Sequence, residues 1–75
     1  MPEPERTLEQ IIEDANALAR ALYLSMGYQV PDDYKFHAAT HPQAVGCWNM
    51  AAIAYEHIES TDIEDCLAEW LDRNN

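Results

Sequence analysis

The apolar residues that follow Thr7 recur every three or four positions, which is the period of one face of an α-helix. Thr7 and Gln10 are placed to form a capping box at the amino end, and Gly27 suits the left-handed turn that stops a helix. The pattern predicts a first helix over about residues 7–26. Its apolar positions are Leu8, Ile11, Ile12, Ala15, Leu18, Ala19, Leu22 and Met26.

A second helix is predicted over about residues 42–59. Pro42 suits the first helical position because its missing N–H would have no partner there, with Thr40 or His41 before it as cap. The apolar arc is wider than a surface helix needs, so this helix is expected to lie between the other two. Its members are Ala44, Val45, Cys47, Trp48, Ala51, Ala52, Ala54, Tyr55 and Ile58.

A third, short helix is predicted over about residues 62–73. Ser60 and Thr61 break the second helix, and Thr61 with Glu64 has the spacing of another capping box. The residues expected to face inward are Ile63, Cys66, Leu67, Trp70 and Leu71.

The segment 28–41 has no periodic hydrophobicity, and at about fourteen residues it is longer than a usual connection between helices. It is expected to be an ordered loop that Tyr34 and Phe36 hold against the core, with a helical turn near Asp32 to Phe36. The fold class is therefore predicted to be all-α, a small three-helix bundle with a long ordered loop between the first two helices.

A chain of 75 residues fits one domain, so residues 1–75 are interpreted as a single helical domain with a flexible amino terminus at residues 1–6. The core is expected to depend on few large side chains, because many of its apolar residues are alanines. The expected core residues are Leu8, Ile11, Ile12, Leu18, Leu22, Phe36, Val45, Trp48, Tyr55, Ile58, Ile63, Leu67, Trp70 and Leu71.

The first residues lack the basic and apolar regions of a signal peptide, and no apolar run approaches the roughly 20 residues that span a bilayer. A cytoplasmic protein is expected. Cys47 and Cys66 fall within predicted helices, so in a reducing compartment they are expected to be small buried hydrophobic residues without a disulfide.

The net charge of −10 is the feature that bears most on function. It repels phosphate backbones and anionic membrane surfaces, so no direct binding of nucleic acid or membrane is expected, and a basic host protein is the expected partner. Residues 56–75 hold seven carboxylates against the single cation Arg73.

Six of these carboxylates are the predicted partner-binding residues: Glu56, Glu59, Asp62, Asp65, Glu69 and Asp72. The helix dipole favours acids in a first turn, but it does not account for Glu69 and Asp72. Like charges at helical spacing cost about 0.2–0.5 kcal/mol per pair. The acidic face is interpreted either as a solvated surface that keeps a small protein soluble or as a face that docks on a basic protein, in the extreme by imitating nucleic acid.

A stretch of about a third of the chain, residues 27–43 with the tetrapeptide Cys47–Met50, resembles small acidic proteins encoded by phages and prophages of enteric bacteria. The resemblance implies an accessory protein that binds and adjusts a host protein, as phage anti-restriction and anti-CRISPR proteins do. It implies no particular functional residues.

A second hypothesis is a small zinc-binding domain organised by His37, His41 and Cys47, since imidazole and thiolate are zinc ligands. Pro42 disfavours the helical geometry that would align the two histidines, and no established zinc spacing accompanies them. No metal and no cofactor are therefore expected. A homo-oligomeric structural protein, such as a homodimer, joined through apolar residues of the first helix is the third hypothesis.

The chain is predicted not to be an enzyme. Cys47 with His41, and His57 with Glu56 or Glu59, are the candidate nucleophile and base sets. The sequence has no glycine-rich phosphate loop and no nucleophile elbow, and a helical domain of this size rarely encloses the cleft that catalysis needs.

Overall fold

The computed structural model describes residues 7–74, and within that range the regular secondary structure is all helical, with three α-helices and no strand. The prediction of an all-α protein is confirmed at this level. The predicted flexible segment 1–6 lies outside the described residues. The elements are α1 (Leu8–Ser25), a 3₁₀-helix (Phe36–Ala38), α2 (Pro42–Glu59) and α3 (Ile63–Arg73). Among these helices, none is long and apolar enough to cross a membrane.

Both ends of α1 are closed as the sequence predicts. The Thr7 hydroxyl accepts the Gln10 backbone N–H at 3.1 Å, and the Gln10 side-chain oxygen accepts the Thr7 N–H at 3.0 Å. At the other end Gly27 has a φ of +92°, a conformation that a residue without a Cβ adopts easily. The chain therefore leaves α1 through a left-handed turn.

The predicted capping box of Thr61 and Glu64 is wrong. Asp62 is the cap of α3, and its carboxylate accepts the Asp65 backbone N–H at 3.0 Å. Thr61 instead closes α2, because its backbone N–H donates to the Tyr55 carbonyl at 3.2 Å. The amino end of α2 has His41 at the cap position without a side-chain hydrogen bond.

Most of the contact between helices involves α1, which packs against both α2 and α3, whereas α2 and α3 contact each other less. The prediction that the second helix lies between the other two is therefore wrong. Small residues with no exposed surface, Ala15 and Ala19 on α1 and Ala44 and Ala51 on α2, allow these two helices to approach closely. The apolar arc of α2 also packs against the 3₁₀-helix, where Trp48 contacts His37.

The connection between α1 and α2 is held down by Phe36, which is 1% exposed. Its ring makes edge contacts with Tyr23 and Tyr34, with centroids 5.5 and 4.9 Å apart. The side-chain amide of Asn16 on α1 binds the connection at the same place. Its oxygen accepts the Phe36 N–H at 2.6 Å, and its nitrogen donates to the Tyr34 carbonyl at 3.2 Å. The helical turn expected near Asp32 begins at Phe36 instead.

Two residues expected in the core are on the surface: Ile58 is 81% exposed and Leu71 is 43% exposed. Ile58 lies in the last turn of α2, where it borders a depression with Leu18 of α1, and α3 packs along α1 more than along α2. Leu71 lies about 100° around the helix from Trp70, which packs against the core.

Candidate functional site: an acidic surface on α2 and α3

The six carboxylates predicted to bind a partner are all exposed. Three of them, Asp62, Asp65 and Glu69, act electrostatically on the half-buried thiol of Cys66. Burial, and then the negative charges of Asp62, Glu69 and Asp65, raise the pKa of this thiol. The spacing of these three carboxylates places them on one face of α3, and Asp72 follows on the same face. We call the four residues Asp62, Asp65, Glu69 and Asp72 the row.

One internal ion pair offsets part of this charge. The Arg73 guanidinium donates to the Glu69 carboxylate at 2.7 Å, with both side chains more than half exposed. Such an exposed pair contributes only about 0.3–0.5 kcal/mol because water screens it. The carboxyl end of α3 is thus the less negative end of the row.

Glu56 and Glu59 do not lie on one surface, as the sequence analysis assumed. Glu56 lines a depression between α2 and α3, whereas Glu59 borders another one beside Leu18 and Ile58. We call the first the α2–α3 depression; it has a volume of about 460 Å³. Its lining residues are Asn49, Ala52, Ile53, Glu56, Asp62, Ile63 and Glu64.

Of the residues that line this depression, sequence reasoning selected only Glu56 and Asp62 as binding residues, and it gave no binding role to Ile53 or Glu64. Glu64 was assigned to a cap that does not form, and Ile53 fell outside the apolar arc of the second helix. The available signal was the spacing of Asn49, Ile53 and Glu56, which places them on one stripe of α2. Nothing in the sequence indicated that this stripe meets the start of α3.

The α2–α3 depression carries a net negative charge. Its carboxylates are Glu56, Asp62 and Glu64, and within residues 7–74 no cation pairs with Glu56 or Glu64. The amino end of α3 contributes a positive charge of about half a unit from its dipole, which three carboxylates outweigh. The depression therefore favours a positively charged ligand.

The residues of the zinc hypothesis are not brought together. His37 packs between Trp48 and Trp70, with ring centroids 6.1 and 5.5 Å away. The Cys47 thiol is fully buried and donates to the Met26 sulfur at 3.7 Å, while His41 is exposed. Among the described residues, no group of three or more His, Cys, Asp or Glu side chains is arranged to hold a metal ion.

The candidate nucleophile is also poorly placed for chemistry. Burial raises the pKa of the Cys47 thiol, so the reactive thiolate is disfavoured at neutral pH. His57 is exposed on α2, outside any enclosed cleft of the described residues. Cys47 and Cys66 are both free thiols.

Acidification is expected to lower the free energy of unfolding, because His37 is half-buried in its neutral form. Burial, and then the nearby Lys35, lower the pKa of His37 below its usual value of about 6.5, so the unfolded chain takes up a proton before the folded chain does. Stability contributed by neutral His37 is complete above that value and is lost as pH falls through the lowered pKa. The carboxylates of Glu9, Glu13 and Asp32 line the same surface near His37.

The measurement is thermal unfolding of the parent and of His37→Phe between about pH 8 and pH 5, with His57→Phe as the matched control. Because relief of carboxylate repulsion acts on all three proteins, the difference between them isolates His37. The parent should lose stability on acidification relative to His37→Phe, whereas His57→Phe should follow the parent. Parallel curves for the parent and His37→Phe would contradict the assignment.

No protein-family model matches the sequence, and neither a curated protein nor a solved structure matches it. These comparisons therefore assign no family and no function to the chain.

Proposed function

We propose that this chain is a non-enzymatic, acidic protein–protein interaction module that binds a basic host protein through its negatively charged helical face. In this proposal the three helices form a small cytoplasmic bundle with a long ordered connection between α1 and α2. The observation that carries it is that Asp62, Asp65, Glu69 and Asp72 are all exposed at the spacing of one helical face, in a region whose single cation is Arg73.

The dimensions of the row favour contact with the partner rather than attraction from a distance alone. Asp62 and Asp72 are about 15 Å apart along α3, at 1.5 Å per residue. Charges are screened over about 8 Å at physiological ionic strength. Charge alone therefore steers the approach of a basic protein, and stable binding requires the carboxylates to meet its cations directly.

A phage-derived modulator or inhibitor of a nucleic-acid-binding protein is the particular form that we propose. The resemblance of residues 27–43 to small acidic phage proteins supports it. The charge spacing supports it too, since four carboxylates over about 15 Å give one charge per roughly 4–5 Å. A nucleic-acid strand carries one per about 3.4 Å, so the row approximates a single strand.

The homodimer hypothesis finds no support on α1. The apolar residues of α1 that were expected to join two copies are instead buried within one copy, including Ile12 and Ala19, which are 3% and 0% exposed. The large apolar side chains that are exposed here, Leu24 in the last turn of α1 and the cap residue Met26, are at its carboxyl end.

The charge-reversal variant Glu69→Lys with Asp72→Lys is expected to weaken capture of a basic partner from host lysate at least about tenfold, a loss of roughly 1.4 kcal/mol. The matched control is Glu9→Lys with Glu13→Lys, which changes the net charge equally on the exposed side of α1. Helical circular dichroism should remain unchanged in both variants. The bound protein should also be released by raised salt. Equal capture by both variants would remove the acidic face from the proposal.

A further inference from the structure

We infer that the α2–α3 depression is where the partner docks, and that its occupant is a basic amphipathic helix of the partner protein. One apolar side chain of that helix enters beside Ile53, and Lys or Arg side chains on either side pair with Glu56, Asp62 and Glu64. This inference rests on the proposed function and specifies its partner.

The floor of the depression is apolar. Ile53 is 55% exposed although it lies in the middle of α2, and the buried Ile63 and half-buried Ala52 continue the same surface. A single exposed isoleucine is ordinary on a protein surface. An apolar floor in a concave site bordered by charge is the arrangement in which one buried anchor contributes most of a binding energy.

The border of the depression selects the charge of the occupant. Glu56 comes from α2, Asp62 from the turn between the helices and Glu64 from the first turn of α3. Asp62 already accepts the Asp65 N–H, but a carboxylate has further lone pairs that can accept from an Arg or Lys. Cations on the partner would then meet carboxylates on more than one side of its apolar anchor.

The same charges exclude a second copy of this chain. A two-fold dimer through the depression would place Glu56 and Glu64 of one copy against the same carboxylates of the other, and like charges brought together cost free energy. Among the described residues there is no strand whose edge could be extended by a peptide. A helix laid into the groove between two helices remains as the recognition mode.

The experiment uses the full chain labelled with ¹⁵N and a synthetic helical peptide that carries Leu and Arg on one face. A second peptide of the same composition in scrambled order is the control for charge alone. Binding should shift the amide signals of Asn49, Ile53 and Glu64, with smaller shifts from the scrambled peptide. The absence of shifts at these amides with about 1 mM peptide would overturn the inference.

Variants separate this inference from the proposed function. Ile53→Ser should weaken peptide binding at least tenfold, roughly the effect of losing one buried anchor, while the matched control Ile58→Ser should leave it within about twofold. Both isoleucines are more than half exposed, so both variants should fold. If binding persists in Ile53→Ser but is lost in Glu69→Lys with Asp72→Lys, the acidic face stands and the depression is not its docking site. If neither Ile53→Ser nor the charge-reversal variant weakens binding, both the inference and the proposed function are overturned.

Discussion

Replacement of Phe36 by alanine is expected to lower the free energy of unfolding by about 3–5 kcal/mol, the usual cost of truncating a buried phenylalanine. Phe36 is 1% exposed and joins the connection between α1 and α2 to the rings of Tyr23 and Tyr34. A domain of this length has a total stability of only about 4–11 kcal/mol. The truncation should therefore remove a large part of the total stability and lower the urea concentration at the unfolding midpoint.

Urea unfolding followed by circular dichroism measures this loss. Ile58→Ala is the control, because it also truncates a large apolar side chain but at a site that is 81% exposed. Its effect should be within about 0.5 kcal/mol. Phe36→Leu, which keeps most of the volume, should be less damaging than Phe36→Ala. Equal midpoints for Phe36→Ala and Ile58→Ala would mean that the connection is not part of the core.

Replacement of Asn16 by alanine is expected to cost about 1–3 kcal/mol, because it leaves the buried Phe36 N–H without its acceptor. The Asn16 amide accepts that N–H at 2.6 Å and donates to the Tyr34 carbonyl at 3.2 Å. It is thus the polar counterpart of the Phe36 contact, since both attach the same connection to α1. Asn16→Asp should keep the acceptor, lose the donor and place a negative charge beside the Tyr34 carbonyl.

Hydrogen exchange distinguishes the two substitutions. The Phe36 amide should lose its protection in Asn16→Ala and retain part of it in Asn16→Asp, although both variants lower the overall stability. Asn49→Ala, at an exposed asparagine of α2, is the matched control and should change stability by no more than about 0.5 kcal/mol. Unchanged protection of the Phe36 amide in Asn16→Ala would contradict this role of Asn16.

The features predicted correctly from the sequence are those that depend on residues close together in the chain. The capping box of Thr7 and Gln10 and the left-handed turn at Gly27 are examples, because each involves atoms within one or two turns of a helix. The predicted capping box at Thr61 was wrong, although Thr61 and Glu64 have the spacing of such a box. Thr61 and Asp62 both suit a cap, and the hydrogen bond of Thr61 to Tyr55 at the end of α2 decided between them.

The candidate site shows the same limit. Helical spacing along one element correctly grouped Asp62, Asp65 and Glu69, whose charges act together on the Cys66 thiol. The spacing could not show that Glu56 and Glu59 border different depressions. That separation depends on tertiary packing, because the depression beside Glu59 is formed with Leu18 of α1 and the one beside Glu56 with the start of α3.

The sequence by itself determined that the described chain is helical, where each helix begins and ends to within about a residue, and that its carboxyl-terminal part is strongly acidic. Periodicity, caps and charge are local properties, so they can be read along the chain. Only the tertiary structure decided that α1 contacts both other helices, that Ile58 is exposed and that Glu56 and Glu64 border one depression. These facts depend on which helical faces are buried against each other, and burial is a property of the whole packed chain.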